Sequence, residues 1–372
     1  MRVAVNLLWL RPGLVGGSEE YLTRMLGAFD DPDVELTLFT QRAFAAAHPE
    51  LAERHRTHRL AGVLGHQALR VTAEHSWLAA HERRFDVVHH AGSTAPFTTR
   101  VTARRHVVTF HDLQFLTFPE FFRRPRRAYL RAVTPPAARH ATVVTVPSAY
   151  VRDRVREVFG VPDDRVVVVP HGLDPALGRR ATTEPDVRAR YRLPGPYVVY
   201  PAITHPHKNH VTLLEAMAVL RASRPDLRLV LTGGVGHAEP GVRAAIDRLG
   251  LGSVVVRTGR VPPDDRDGLL GHAAALAFPS RYEGFGAPVL EAMRLGCPVV
   301  AASSTALPEV VGDAGVLVDP LDPEAWASAL ADLVEGGPAA DALRAAGRAR
   351  AASYTAARSA AALAGAYRRA VA

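Results

Sequence analysis

Two glutamates, Glu283 and Glu291, stand with seven residues between them in the stretch EGFGAPVLE. A strand-like run, ALAFPS, leads into the loop EGFGAP, which opens a helical run, VLEAMRLG, closed at Gly296. Pro288 suits the first turn of that helix, where its missing N–H costs nothing. Gly284 and Gly286 let backbone pass close to a ligand with no Cβ in the way. A helix N-terminus presented in this manner attracts phosphate through free N–H groups and the macrodipole. The spacing puts one carboxylate in the loop and the other a turn or so into the helix. Each can then accept hydrogen bonds from hydroxyls on a different part of one elongated ligand. Taken alone, the pair equally describes two solvated carboxylates.

A second stretch, HPHKNH at residues 205 to 210, holds the only lysine of the chain; every other residue among the 45 Lys plus Arg is arginine. Such usage points to a coding bias toward arginine, which makes the survival of Lys208 either chance or chemistry. A lysine offers a compact point charge where a planar guanidinium does not fit. His205, His207 and His210 invite a zinc reading, but no cysteine or carboxylate completes a ligand set there. The single cysteine, Cys297, enters the apolar run LGCPVVAA and reads as a buried, inert thiol; it excludes an intrachain disulfide and fits a reducing cytoplasm. Ser148, between a strand-like run and AYVRDRVREVFG, reads as a helix cap.

The elements that must carry these residues alternate along the chain. RVAVNLLW, VELTLFT, FDVVHH, HVVTF, TVVTVPS and VVVVP are short, β-branched and continuous, as expected of parallel strands covered on both faces. Residues 171–195 are rich in Gly, Pro and charge and read as an interdomain connection. The rhythm restarts with YVVYPA, LRLVLTG, VVVRTG, ALAFPS, PVVAAS and GVLVD. At 372 residues the chain suits two domains, and alternation on both sides of a connection predicts two doubly wound α/β sheets. Ligands in such sheets bind beyond the carboxyl ends of the strands, so two facing sheets would place a site in a cleft.

The net charge of +8 raises the question of an anionic partner. The basic residues are dispersed, and no zinc-finger spacing, basic zipper or RNA-binding aromatic signature accompanies them, so nucleic acid is not expected. The densest run, RRPRRAYLR, contains Arg123, Arg124, Arg126 and Arg127. It reads as a solvated helix face, or as a patch for an anionic acceptor or a membrane surface. No stretch approaches the roughly 20 apolar residues that span a bilayer, and the N-terminus lacks a signal-peptide pattern. A cytoplasmic protein, peripheral at most to the inner face of a membrane, is expected.

With these motifs assembled, the chain resembles the retaining glycosyltransferases of family four, which have the GT-B fold. EGFGAPVLE looks like that family's signature. The resemblance implies that Glu291 binds the ribose hydroxyls of a nucleotide and that Glu283 contacts hydroxyls of the transferred sugar. The intervening backbone of Gly284, Phe285, Gly286 and Ala287 would face the sugar and diphosphate. Ala287 stands where the family often has a larger apolar residue. YPAITHPHKNHVTLLEA is similar to the family's diphosphate segment: Lys208 matches its phosphate-binding lysine, and His207 stands where arginine is frequent. LVGGSEEYL resembles the glycine loop after the first strand, where Gly16 and Gly17 would let N–H groups approach the donor phosphates or the acceptor. HVVTFHDLQFLTFPEFF resembles the segment whose histidine, here His111, lies beside the donor sugar. PHGLD matches the last turn of the first domain.

The resemblance implies a GT-B architecture: an acceptor-side domain over residues 1–175, a nucleotide-sugar domain over 190–354, and a C-terminal helix over about 355–372 crossing back onto the first. It implies transfer of a hexose from a nucleoside-diphosphate sugar to an acceptor hydroxyl with retention, with catalytic His111, Lys208 and Glu283, no metal and no further cofactor. GDP-mannose is the favoured donor on the likeness of the HDL and HPHKNH segments; the acceptor stays open. A nicotinamide-dependent oxidoreductase would need G-x-G-x-x-G after a strand, which neither LVGGSEEY nor TGGVGHAE supplies. A sugar-nucleotide epimerase or phosphorylase of the same fold, and a basic binding protein without catalysis, are the remaining alternatives.

Overall fold

The computed structural model describes residues 1–14, 16–60, 67–96 and 105–372. The chain forms two compact units, Met1–Gly172 with Thr355–Ala372, and Leu173–Tyr354. The first is built on seven parallel strands: β1 (Arg2–Asn6), β2 (Glu35–Gln41), β3 (Arg56–Leu60), β4 (Val87–His90), β5 (Arg105–Thr109), β6 (Val143–Val146) and β7 (Val166–Val168). Their order is β3-β2-β1-β4-β5-β6-β7. Val3 lies between Leu36 and Val87, and the central strands are buried on both faces. That double burial is why they read as unbroken apolar runs.

The order reverses between β1 and β4. Each strand there sends its following loop away from the other's connection, which opens a crevice at the carboxyl ends. Into this crevice run the segments after β1 (Leu8, Trp9), after β4 (residues 92–94) and after β5 (residues 111–115). The helix Ala356–Val371 completes the unit: Leu363, Ala364 and Tyr367 join the core around β1, and the Tyr367 hydroxyl meets His89 Nδ1 at 2.8 Å.

The second unit has six parallel strands: β8 (Tyr197–Pro201), β9 (Arg228–Thr232), β10 (Val255–Gly259), β11 (Ala275–Phe278), β12 (Val299–Ala302) and β13 (Val316–Val318). Their order, β10-β9-β8-β11-β12-β13, reverses between β8 and β11. The loops after those two strands are the HPHKNH and EGFGAP segments. Two parallel sheets with helices between their strands give the α/β class expected from the alternation.

Two differences from the sequence reading have physical causes. β3, RTHRL, was not anticipated; it is an edge strand with little burial, and its arginines suit an unpaired edge rather than a core. Residues 171–195 are more than a connection: they include the helix Glu184–Tyr191, and Leu177, Val187 and Leu193 are buried in the second unit's core. Their apolar residues are too widely spaced to show a strand period. Among the described residues no helix is long and apolar enough to cross a membrane.

Candidate active site

In the second unit the two motifs meet. Lys208 Nζ donates to Glu283 Oε1 at 2.6 Å, with side chains 19% and 14% exposed. The lysine also lies over the Phe278 ring, 5.6 Å from its centroid. Its backbone is held by a Tyr200 hydroxyl that donates to the Lys208 carbonyl at 2.6 Å. Asn209, in the left-handed region at φ +56°, donates to the Pro279 and Pro320 carbonyls at 3.2 and 2.6 Å and accepts from Thr212 at 3.0 Å. The ammonium has three N–H donors, so a partner carboxylate leaves further donors for a phosphate.

The helix Ala287–Leu295 begins beside that pair. Gly286 precedes it at φ +103° and supplies no side-chain cap, Pro288 sits in the first turn, and Gly296 ends the helix at φ +80°. A Cβ on Gly286 would fall 2.6 Å from Leu307 Cδ2, so the turn has no room for a side chain. The positive end of the helix dipole thus begins four residues after the glutamate that Lys208 contacts. Glu291, 4% exposed, is carried one turn in.

Sequence reasoning missed Thr305. Its hydroxyl accepts the Glu283 N–H at 2.9 Å while its own backbone stands at φ +54°. A β-branched residue there is strained, and such outliers gather where a fixed geometry is needed. Phe285, expected at the ligand, is 4% exposed and packs on Tyr354 in the core, which leaves only its backbone for a ligand. His207 lies in the loop, but burial pushes its imidazole down to about 2, with Lys208, His205 and His210 adding to the shift. It brings no positive charge at neutral pH. Cys297 is 1% exposed, and burial raises its thiol to about 12, so it is inert.

In the first unit, Gly16 (φ +68°) precedes the helix Gly17–Gly27. Glu19 braces the loop from that helix: its carboxylate accepts the Gly13 N–H at 2.8 Å and meets His48 Nε2 at 2.9 Å. Ser148 caps its helix as anticipated, accepting the Val151 N–H at 3.2 Å. His111 follows β5 and donates from Nε2 to the Ala91 carbonyl at 2.8 Å. A carbonyl can only accept, so Nδ1 carries the lone pair of a neutral ring. Burial lowers this imidazole's pKa, which keeps it neutral. Trp9 and Tyr21 flank it, with ring centroids at 5.8 and 5.7 Å. A cavity of about 600 Å³ adjoins His111, walled by the segments after β1, β4 and β5 and by the helix Arg124–His140. Of the arginine run, Arg123, Arg124 and Arg126 are exposed, and only Arg126 of these lines the cavity.

Two family models match the chain: "Glycosyl transferases group 1" over residues 187–350 and "Glycosyltransferase Family 4" over residues 15–177. A GDP-mannose-dependent α-(1-6)-phosphatidylinositol monomannoside mannosyltransferase from Mycolicibacterium smegmatis is 33% identical over 269 residues, covering 68% of this chain and 67% of that protein. The chain belongs to the family-four, group 1 glycosyltransferases. Within this family, the O-antigen chain mannosyltransferase B of Escherichia coli is 34% identical over 224 residues, 59% of each chain. A D-inositol 3-phosphate glycosyltransferase of Segniliparus rotundus is 34% identical over 200 residues, and the match spans 44% of its length. The chain thus spans about half the length of several curated relatives. Among solved structures, Anabaena HepE in complex with UDP and glucose superposes with a TM-score of 0.78 at 21% identity, covering 98% of both chains. Sucrose-phosphate synthase from Thermosynechococcus elongatus gives 0.79 at 21% identity, covering 99% of this chain and 98% of that one. These likenesses establish the GT-B fold of this glycosyltransferase chain.

Proposed function

We propose that the protein is a retaining hexosyltransferase that moves a sugar, mannose favoured, from a nucleoside-diphosphate donor to an acceptor hydroxyl without a metal ion. The observation that carries this reading is the placement of Lys208 and Glu283 together, beside the uncapped helix start at Gly286, at the strand-order reversal of the second unit. In this assignment residues 190–354 hold the donor and residues 1–175 the acceptor. Glu291 binds the ribose hydroxyls, the helix N–H groups and Lys208 the diphosphate, and Glu283 a sugar hydroxyl.

The C1–oxygen bond of the donor breaks with its electron pair passing to the diphosphate. Lys208 and the helix N-terminus stabilise that growing charge, the kind of preorganised contact that lowers a barrier most. The acceptor oxygen bonds to C1 on the face the diphosphate leaves, and its proton passes to the departing phosphate. His111 offers its Nδ1 lone pair to a hydroxyl of the reacting sugars. The named relatives in Escherichia coli and Mycolicibacterium smegmatis are mannosyltransferases, one GDP-mannose-dependent, which supports a mannosyl donor. The HepE structures with UDP and UDP-glucose support a nucleotide-sugar donor in general. Peripheral contact with a membrane through Arg123, Arg124, Arg126 and Arg127 belongs to the same reading.

Incubation with a panel of nucleotide sugars tests the donor assignment. Slow release of nucleoside diphosphate, fastest from GDP-mannose, is expected. Release from none of the panel, with no heat on titrating GDP or UDP, would remove the transferase reading.

A further inference from the structure

The cavity beside His111 is unusual in what its walls leave unmatched. Among the described residues, four that line it carry a buried side-chain nitrogen with no hydrogen-bond partner: Trp9 Nε1, Arg70 Nε, His111 Nδ1 and Gln114 Nε2. Folded proteins leave few such groups, because a polar group buried without a partner loses its hydrogen bonds to water and gains none in return. Four around one hollow mark a surface built to be completed by something polar. Three of them are donors, so the missing partner is rich in acceptor oxygens; His111 Nδ1 asks in addition for one O–H.

Charge narrows the class. Arg11, Arg70 and Arg126 line the cavity from three separate segments, and among the described residues Asp112 is the one acid that lines it with them. Glu74 faces Arg70 Nε at 3.9 Å, beyond hydrogen-bonding reach, so the guanidinium is not saturated by it. A carboxylate presents two coplanar oxygens and suits one guanidinium fork, whereas a tetrahedral phosphate accepts from several directions. Shape adds the rest. Trp9, Phe115, Phe122 and Tyr129 give the cavity aromatic faces. Trp9 is held against backbone, since a Cβ on Gly92 would lie 2.6 Å from its ring. A rigid aromatic face of this kind packs on the C–H face of a polyol ring.

We infer that this cavity binds a phosphate-bearing ring polyol, with Arg126 and Arg70 on the phosphate and Trp9 and Gln114 on the ring oxygens. The inference rests on reading the first unit as the acceptor side, and it deepens that reading by giving the acceptor its chemistry. The phosphate can belong to a free sugar phosphate or to the headgroup of a phospholipid.

Calorimetric titration of the full chain separates the possibilities, using glucose 6-phosphate, glucose and glucuronate as probes and GDP as the independent measure of the donor site. Glucose 6-phosphate should bind and the other two should not. Arg126→Gln, at an exposed helix position where folding is not at stake, should weaken glucose 6-phosphate by about tenfold, the scale of one charge-assisted contact. Arg124→Gln on the same helix should leave it unchanged, and Trp9→Phe should weaken it with the ring kept. Flotation with phosphatidylcholine vesicles carrying phosphatidylinositol or, at equal charge, phosphatidylserine distinguishes the source. Capture by phosphatidylinositol alone, lost in Arg126→Gln, assigns the headgroup; glucose 6-phosphate binding without capture assigns a soluble acceptor. Equal affinity for glucuronate, or an Arg126→Gln variant that binds glucose 6-phosphate as wild type does, overturns the inference while GDP binding leaves the donor reading standing. Loss of GDP binding with glucose 6-phosphate binding retained would do the reverse.

Discussion

At the scale of single residues the proposed chemistry rests on the Lys208–Glu283 pair, whose side chains meet at 2.6 Å. The two were assigned separate roles from their motifs, the phosphate and the sugar, and neither motif hints that they touch. Their contact couples the roles. Glu283→Ala releases Lys208 from its carboxylate, so free GDP should bind as well as in wild type or more tightly, while turnover falls because a sugar contact is gone. Glu291→Gln should instead weaken GDP and intact donor alike by about 1.5–3 kcal/mol, the worth of hydrogen bonds to a charged group. Titration of GDP into both variants, with melting curves to show that each is folded, decides this. A matched loss of GDP affinity in the two would defeat the division of labour. Thr305 has a narrower part. Removing its hydroxyl in Thr305→Val keeps the strained, β-branched backbone and deletes the bond to the Glu283 N–H; kcat should drop with GDP affinity retained, and an unchanged kcat would reduce Thr305 to a local turn residue.

At the scale of elements, a helix start and two strand-order reversals position everything. Gly286 stands at φ +103°, where an alanine is strained by roughly 1–2 kcal/mol and where its Cβ would press on Leu307. Gly286→Ala should therefore lower the melting temperature and, by displacing the first turn, weaken diphosphate binding. Gly365→Ala is the counterpart. That glycine lies inside the C-terminal helix with open space around it, and alanine there should stabilise by about 0.5–1 kcal/mol. Equal melting shifts of the same sign in both would contradict the account of Gly286. These elements were largely legible in the sequence. The strands buried on both faces announced themselves as short runs rich in Val, Leu and Ala, and Pro288 and Gly296 marked one helix at both ends. What escaped notice was either peripheral or dispersed. β3 is an edge strand whose charged residues carry no core pattern, and the helix Glu184–Tyr191 offers one buried side chain, Val187, amid charge. The left-handed Thr305 and the unmatched nitrogens of Trp9, Arg70 and Gln114 arise from tertiary contacts, which local sequence does not encode.

At the scale of the whole molecule, the chain carries an unusual load of buried, neutral histidine. His89 and His90 are 0% exposed. Burial pushes His89 down to about 3, with His111 adding to the shift, and holds His90 well below its ordinary value, with His106 the next cause. Below the unfolded value of about 6.5, the unfolded chain takes up protons that the folded core refuses. Folded-state pKa values lie under unfolded ones, so stability is full above that pH and falls as pH drops from it toward the folded values. The slope is about 1.4 kcal/mol per pH unit for each such histidine. The melting temperature should decline between about pH 7 and pH 5, and His89→Gln should flatten that decline. A melting temperature that holds or rises on acidification would mean these rings are charged in the folded state. The same arithmetic applies to His207, so protonation of that ring should lend no acid-enhanced affinity for GDP over this range.

The central claim is that Lys208 and a helix N-terminus, without a metal ion, carry the charge of the departing diphosphate. Its most direct test is the rate of GDP release from GDP-mannose in excess EDTA, for the wild type and for folded Lys208→Ala and Lys208→Arg variants. Release should persist in EDTA for the wild type. In Lys208→Ala it should slow by about 2.7–4 kcal/mol of barrier, the scale of one preorganised electrostatic contact. The loss should appear in kcat more than in KM, since the contact strengthens as charge develops. Lys208→Arg should fall between the two. Release that stops in EDTA and returns with Mg²⁺ or Mn²⁺, or wild-type turnover in Lys208→Ala, would contradict the account.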